Sequence, residues 1–200
     1  MTPDLMEANA QRLEDFKFKQ VQAPASGGRH ADNVAPSVFG GITLIRNLEP
    51  IEVINLPYPE LYCVIIHPHL QVETKGARGI LSPTVALKKY VEQSAQLAAT
   101  VCALYTKDIE LLRRAMQDLI IEPQRAALVT GYYAVKQAAL DAGAISATFS
   151  GSGPSLLAFC ANQAQAEVVA QAMLAAFQAH AIAADHWISP INPHGAYLIA

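Results

Sequence analysis

The sequence predicts an α+β fold. From about Leu61 to residue 200, helices are expected to pack over a mostly antiparallel sheet in a ferredoxin-like sandwich. Two observations lead to this class. Strand-like apolar runs alternate with helix-like patterns along the chain. Some of the strands are also joined by short hairpin connections rather than by helices.

Before Leu61 the chain has fewer regular elements. Residues 1–20 carry an imperfect apolar stripe that suits one amphipathic helix, and the turn-rich run 23–28 excludes any regular element. Asp32 is expected to cap a short helix that Gly40-Gly41 ends. The predicted elements of this region are a helix over Val34–Phe39 and strands over Ile42–Arg46 and Ile51–Asn55, with a turn at Asn47–Pro50.

After Leu61 the pattern is rich in helices, which frequent alanine supports because it is the strongest helix former. Gly143 is a normal stop for the third of these helices. The predicted elements are a strand over Leu61–His67, helices over Pro83–Tyr105, Asp108–Ile120 and Gln124–Ala142, strands over Ile145–Phe149 and Ser155–Cys160, a helix over Gln163–His180, and strands near Ala183–Ile188 and Ala196–Ile199.

Composition and charge narrow the classes of function. Only 16% of the 200 residues are charged and the net charge is -3, with the basic residues scattered, so no nucleic-acid partner is expected. Cys63, Cys102 and Cys160 stand alone in apolar surroundings, which predicts buried small side chains in a reducing compartment. The N-terminus does not resemble a targeting peptide, and no apolar run is long enough to span a bilayer. We therefore expect a soluble cytoplasmic protein without a membrane partner.

The sharpest local signal is the run FSGSGPS at 149–155, between two apolar strand-like segments. Gly151 and Gly153 can adopt positive φ, which lets backbone N–H groups converge on an anion or brace another loop that binds one. Hydroxyl donors are added by Ser150, Ser152 and Ser155. The alternative is an ordinary tight β-turn. The run is neither a Walker loop nor a dinucleotide-binding turn.

Three further segments place polar residues where a small charged molecule could bind. His30, Asp32 and Asn33 stand at a predicted helix start, where free N–H groups attract polar ligands; the alternative is a cap with solvated neighbours. A second segment is the run TKGAR at 74–78. In the third, Arg125 lies at the start of a helix, a poor place for a cation unless it meets a carboxylate or phosphate, or forms a surface salt bridge.

These four segments, in this order, resemble those of homoserine kinases, a branch of the GHMP family of small-molecule kinases. The runs that carry the resemblance are SGGRHADNVAPSVFGGITLI, TKGARGILS, EPQR and GAISATFSGSGPS. HADNVAP and SGSGP together are specific for this branch, whereas SGSGP alone indicates only the wider family. The chain departs from the pattern at Ser82, where the family has proline and this chain has Pro83 just after. The resemblance covers about residues 25–200.

The resemblance implies transfer of the γ-phosphoryl group of ATP to the side-chain hydroxyl of L-homoserine, a step of threonine biosynthesis. ATP and Mg²⁺ are implied for the complete enzyme, with no metal ligands and no assigned catalytic side chain in this chain. The implied substrate-binding residues are His30, Asp32, Asn33, Thr74, Arg78 and Arg125, whose arginines suit a carboxylate. The implied phosphate-side loop consists of Ser150, Gly151, Ser152, Gly153 and Ser155.

The chain departs from the family in one large respect. A GHMP kinase carries a Pro-x-x-x-Gly-Leu-Gly-Ser-Ser-type loop that wraps the ATP phosphates, and no such run occurs here. We therefore expect an unmatched segment over 1–23, a remnant of the N-terminal domain (ribosomal protein S5 domain 2-like) over 24–60, and the C-terminal domain over 61–200. This chain alone is expected to be weak or inactive and not to bind ATP tightly.

Two expectations about partners and two alternatives remain. Unpaired strands in the remnant predict a homo-oligomer, or a complex with the missing N-terminal half, because open sheet edges recruit other chains. One alternative function is a non-catalytic module that binds an amino acid. The other is a different GHMP kinase, acting on mevalonate-type or sugar substrates.

Overall fold

The computed structural model describes residues 31–70 and 79–196. Within them, residues 31–56 and 192–196 form one compact unit, and Pro57–Ile191 form another. The predictions over residues 1–20 and 23–28, and most of the predicted strand at 196–199, lie outside the described residues.

The smaller unit is a β-hairpin with one short helix. Helix α1 (Val34–Phe39) precedes strands β1 (Ile42–Leu48) and β2 (Ile51–Leu56), which pair antiparallel. The buried side of α1 packs against apolar side chains of both strands. Both predicted strands are therefore confirmed, and the turn between them is tighter than expected because β1 continues to Leu48.

The predicted cap at Asp32 is wrong. The N-cap of α1 is Asn33, whose backbone is already helical (φ -90°, ψ -30°), and its side chain accepts no hydrogen bond from the first turn. An N-cap side chain reaches the first turn from an extended backbone, and Asn33 lacks that conformation. The Asp32 carboxylate instead accepts the N–H of Asn33 itself, at 3.0 Å. The predicted end of the helix is confirmed, because Gly40 closes it with φ 71°.

The larger unit contains a four-stranded sheet in which every neighbouring pair is antiparallel. Its strands are β3 (Tyr62–Pro68), β4 (Ser146–Phe149), β5 (Leu156–Cys160) and β6 (Ala184–Pro190). Their order across the sheet is β4-β5-β3-β6, which places the first strand of this unit next to its last. Together with the helix that follows β5, this is the ferredoxin-like arrangement that the sequence predicts.

Helices cover this sheet and supply most of its core. They are α2 (Leu87–Thr106), α3 (Ile109–Ala115), α4 (Glu122–Arg125), α5 (Tyr132–Asp141) and α6 (Gln163–Ala179), with a 3₁₀ turn at Ala126–Leu128. Val169, Met173 and Phe177 of α6 are fully buried against Val64 and Ile66 of β3. Burying a large apolar side chain contributes about 1.5–3 kcal/mol, so this layer dominates the stability of the unit.

Two of the predicted helices are shorter than expected: one ends early and the other is interrupted. The helix expected over Asp108–Ile120 ends at Ala115, and the Asp118 carboxylate then accepts the N–H groups of residues 120–122, which favours a turn over a continued helix. The helix expected over Gln124–Ala142 is interrupted at Gly131, whose φ is 79°. A Cβ at this position would lie 2.6 Å from the ring of His180, so only glycine fits the break.

Helix α2 presents apolar side chains to solvent within the described part of the chain. Leu87 is 76% exposed, and Tyr90, Val91, Leu97 and Tyr105 are each more than half exposed. The prediction of a buried cysteine is also wrong at Cys102, which lies on this helix and is exposed, whereas Cys160 is buried as expected. In the described residues, none of the helices has the length and apolar character needed to cross a membrane.

Candidate functional site

The loop of residues 150–155 connects β4 to β5 and is closed by its own backbone. The N–H of Ser150 donates to the carbonyl of Ser155 at 2.8 Å, and the N–H of Gly153 donates to the carbonyl of Ser150 at 3.2 Å. Gly151 and Gly153 have φ of 62° and 81°, so both use the positive φ that the sequence predicts. The loop therefore has a fixed shape that ordinary side chains at the two glycines would strain.

Arg125 reaches this loop from the end of α4, so the prediction that it lies at the start of a helix is wrong. Its Nη1 atom donates to the carbonyl of Gly151 at 3.3 Å. Its Nε atom is buried and has no hydrogen-bond partner in the described part of the chain. A guanidinium has five N–H donors in a planar fork, so the group offers donors to a carboxylate or phosphate beside the loop.

The structure adds His67, the last residue of a predicted strand, to the surroundings of the loop. The Ser155 hydroxyl lies 2.8 Å from Nδ1 of His67, at the end of β3. His67 was placed at the end of a strand but not in the site. Since β3 and β5 pair as neighbours in the sheet, only the strand order, which the sequence does not state, brings the two together.

A second such residue is Glu122, which is 4% exposed. Its carboxylate accepts hydrogen bonds from Lys136 Nζ at 2.5 Å and from the Thr148 hydroxyl at 3.0 Å. The hydroxyl of Tyr132 is also buried, without a partner in the described residues. Burial raises the pKa of Tyr132 well above its usual value, and the charge of Glu122 raises it further. The sequence feature that could have identified Glu122 is its position directly after the apolar pair Ile120-Ile121 and before Pro123.

The other predicted site residues are distributed between the smaller unit and the undescribed segments. Asp32 and Asn33 are exposed at the start of α1, and the Asn33 carbonyl accepts the Ser37 hydroxyl at 2.8 Å. His30, Thr74 and Arg78 lie outside the described residues. Within the larger unit, the structure therefore brings together Arg125 and the loop that contains Gly151.

Comparison with known proteins identifies close relatives. The family model "GHMP kinases C terminal" matches residues 100–179. The homoserine kinase of Chlorobium phaeobacteroides (strain BS1) is 41% identical over 200 residues, which cover 98% of this chain and 62% of that protein. The homoserine kinase of Xylella fastidiosa (strain M12) is 39% identical over 202 residues, with the same two coverages.

A solved structure agrees with these relatives. The crystal structure of homoserine kinase from Cytophaga hutchinsonii ATCC 33406 superposes with a TM-score of 0.82 and 45% sequence identity, over 84% of this chain and 54% of that one. The chain spans between 55% and 62% of the length of the curated relatives that it matches. The chain is therefore similar over nearly all of its length to part of the homoserine kinases, and its residues 100–179 match the C-terminal domain of the GHMP kinases.

Proposed function

We propose that this chain is the substrate-binding part of a homoserine kinase, in which Arg125 binds the α-carboxylate of L-homoserine. The observation that carries the proposal is the environment of Arg125. Its guanidinium donates a hydrogen bond to the loop of residues 150–155, and its Nε atom is buried without a partner in the described residues. The terminal N–H donors of the guanidinium, rather than the occluded Nε, can pair with a carboxylate beside the loop.

The loop beside Arg125 suits the phosphate side of the reaction. Homoserine is a small molecule, so the group that binds its carboxylate must lie near the loop that faces the transferred phosphoryl group. The hydrogen bond from Arg125 to Gly151 keeps the two within this short distance. Phosphoryl transfer depends mainly on positioning and on charge stabilisation, and a fixed loop with serine hydroxyls contributes to both.

Further contacts are proposed from the motif match alone. His30, Asp32, Asn33, Thr74 and Arg78 would complete the homoserine pocket. Ser150, Ser152 and Ser155 would stand on the phosphate side, with ATP and Mg²⁺ as the second substrate of the complete enzyme. The same proposal includes a cytoplasmic location, the predicted division at residues 23 and 60, and assembly with a second copy or with an N-terminal half.

A second candidate is a module that binds an amino acid without catalysis. The observation that favours it is the absence from the printed sequence of a Pro-x-x-x-Gly-Leu-Gly-Ser-Ser-type run. Both candidates predict homoserine binding at Arg125, and they differ in whether ATP binds and phosphate is transferred. A different GHMP kinase would instead prefer a substrate such as R-mevalonate, which has a carboxylate but no amino group.

Calorimetric titration of the purified 200-residue chain tests the proposal. L-homoserine should bind, and R-mevalonate should bind at least about tenfold more weakly because it lacks the ammonium group. Arg125→Lys should weaken homoserine binding by about tenfold or more, since lysine cannot reproduce the bidentate fork. Arg114→Lys is the matched control because Arg114 is exposed on α3. Equal affinity of wild type and Arg125→Lys would contradict the proposal.

A further inference from the structure

A buried carboxylate lies directly beside the candidate site without being part of it. Glu122 begins α4, the four-residue helix that ends with Arg125. It is 4% exposed, and its carboxylate oxygens accept hydrogen bonds from two different elements of the unit. A buried charge requires a partner and a full set of hydrogen bonds, so its position is closely defined.

The partners of Glu122 connect α4 to the elements that form the loop. Lys136 lies on α5, and its side chain is 21% exposed. Thr148 lies on β4, one residue before Phe149, from which the chain enters the loop of residues 150–155. One oxygen of Glu122 therefore bonds to α5 and the other to β4.

The backbone at the start of α4 is fixed independently. The Asp118 carboxylate accepts the N–H groups of Ile120, Ile121 and Glu122 at 2.8–3.0 Å. The N–H of Arg125 donates to the carbonyl of Ile121 at 3.1 Å. This turn sets the direction of the short helix, but no contact in it joins the helix to β4. The Glu122–Thr148 hydrogen bond supplies that connection.

We infer that Glu122 is a positioning residue for Arg125. By joining the first residue of α4 to β4 and α5, it sets the distance between the Arg125 guanidinium and the Gly151 carbonyl. A functional group must be held within about 0.5 Å of its productive position, and a four-residue helix cannot do this without lateral support. The effect on homoserine rests on the proposed function, whereas the effect on the position of Arg125 does not.

The test measures the Arg125 side chain directly, by the ¹⁵Nε–¹Hε resonance of the 200-residue chain without ligand. The signal is assigned by its loss in Arg125→Lys. Glu122→Gln should displace or broaden this resonance and weaken L-homoserine binding by about tenfold. Glu122→Gln with Lys136→Met removes both charges, so that no unpaired buried charge remains, and the ion pair is still absent. It should leave Arg125 displaced.

Two controls separate positioning from general loss of stability. Glu167→Gln changes an exposed carboxylate of α6 that accepts a hydrogen bond from Gln163. Val169→Ala lowers stability from α6, where Val169 is fully buried and carries no polar group. Neither should move the Arg125 resonance. If Glu122→Gln fails to fold, Thr148→Val removes only the hydroxyl that joins Glu122 to β4, and it should displace the same resonance.

Each outcome bears on one of the two proposals. A displaced Arg125 resonance in Glu122→Gln, together with a wild-type chain that binds no homoserine, would support the positioning role and contradict the proposed substrate. An unmoved resonance in folded Glu122→Gln, or in Thr148→Val where the former does not fold, would overturn the positioning role whatever the affinity. A displacement of equal size in Val169→Ala would overturn it as well.

Discussion

The ring of Tyr132 stacks on the ring of Phe149, with centroids 4.2 Å apart and planes inclined by 20°. Phe149 is the residue from which β4 enters the loop of residues 150–155. Its ring lies where a side chain at Gly153 would have to be, since a Cβ there would be 2.9 Å from Cδ1 of Phe149. The shape of the loop is therefore linked to the core through one aromatic pair.

Gly153→Ala should destabilise the larger unit. Gly153 has φ 81°, which costs alanine about 1–2 kcal/mol, and the new methyl group would also press on the Phe149 ring. We expect a loss of about 1–3 kcal/mol in the free energy of unfolding, measured by urea titration. Gly79→Ala is the control, because a Cβ at Gly79 meets nothing within 4 Å. A Gly153→Ala protein as stable as wild type would mean that the stacked pair does not restrict the loop.

Tyr132→Phe should retain or increase stability at neutral pH. The Tyr132 hydroxyl is buried with no geometric hydrogen bond in the described residues, and its polar neighbours Thr148 and Glu122 already bond to each other, so its removal leaves neither of them unsatisfied. The change in the free energy of unfolding should lie between 0 and about 1 kcal/mol in favour of the variant. The same measurement on Tyr105→Phe, an exposed tyrosine of α2, should give no change.

Wild type and Tyr132→Phe should also differ in how their stability changes in alkaline solution. Burial, followed by the charge of Glu122, raises the pKa of Tyr132 above its usual value of 10.0. A raised folded-state pKa contributes stability that is complete below pH 10 and is lost as the pH rises further. Wild type should therefore lose more stability than Tyr132→Phe above about pH 10. Parallel stability curves for the two proteins from pH 9 to 11 would contradict this.

The three cysteines should react at very different rates. Burial raises the pKa of Cys63 and of Cys160 to about 11, the latter with a smaller contribution from the charge of Cys63. At pH 8 only about one in a thousand of such thiols is ionised, and the thiolate is the reactive form. Cys102 is exposed on α2.

Iodoacetamide should therefore label Cys102 at least about tenfold faster than the other two, as measured by peptide mass spectrometry. Cys102→Ser is the control, and it should abolish the fast phase of labelling without changing the slow one. Fast labelling of Cys160 in the folded protein would show that β5 is more accessible than its buried side chains indicate.

The alternation of apolar runs and helix patterns was sufficient to predict the strands and the fold class. β5 and α6 begin within one residue of their predicted starts, because both combine a clear period with a nearby turn residue. The errors occur where a single residue interrupts the helical periodicity of the apolar positions. Asp118 ends one helix through three backbone hydrogen bonds, and Gly131 breaks another beside His180. Such contacts depend on positions that the sequence does not contain.

The candidate site could be predicted as motifs but not as an arrangement. Arg125 and the loop with Gly151 were each identified, but the hydrogen bond between them depends on the tertiary fold, which brings together residues 26 positions apart in the chain. Glu122 and His67 were missed as neighbours of the loop, because a buried ion pair and a cross-strand contact have no local sequence signature. The predicted sharing of one pocket by four residues stays a prediction, since two of them, His30 and Arg78, lie outside the described residues; the other two are Asn33 and Arg125.

The 200-residue chain, tested alone, should bind L-homoserine more readily than ATP. The γ-phosphate and its Mg²⁺ need donors and positive charge on several sides, and the loop of residues 150–155 supplies one of them. The sequence contains no Pro-x-x-x-Gly-Leu-Gly-Ser-Ser-type run to supply another. Correct positioning contributes about 7–11 kcal/mol in well-oriented reactions, so its partial loss should lower turnover by orders of magnitude.

The measurement is a titration with a non-hydrolysable ATP analogue and Mg²⁺, together with a coupled kinase assay on protein of verified intact mass. The homoserine kinase of Chlorobium phaeobacteroides, assayed in parallel, shows that the conditions support turnover. Weak analogue binding with retained homoserine binding would agree with the prediction. Micromolar analogue affinity with turnover close to that of the control would contradict it, because residues of this chain would then have to complete the phosphate site without the glycine-rich run.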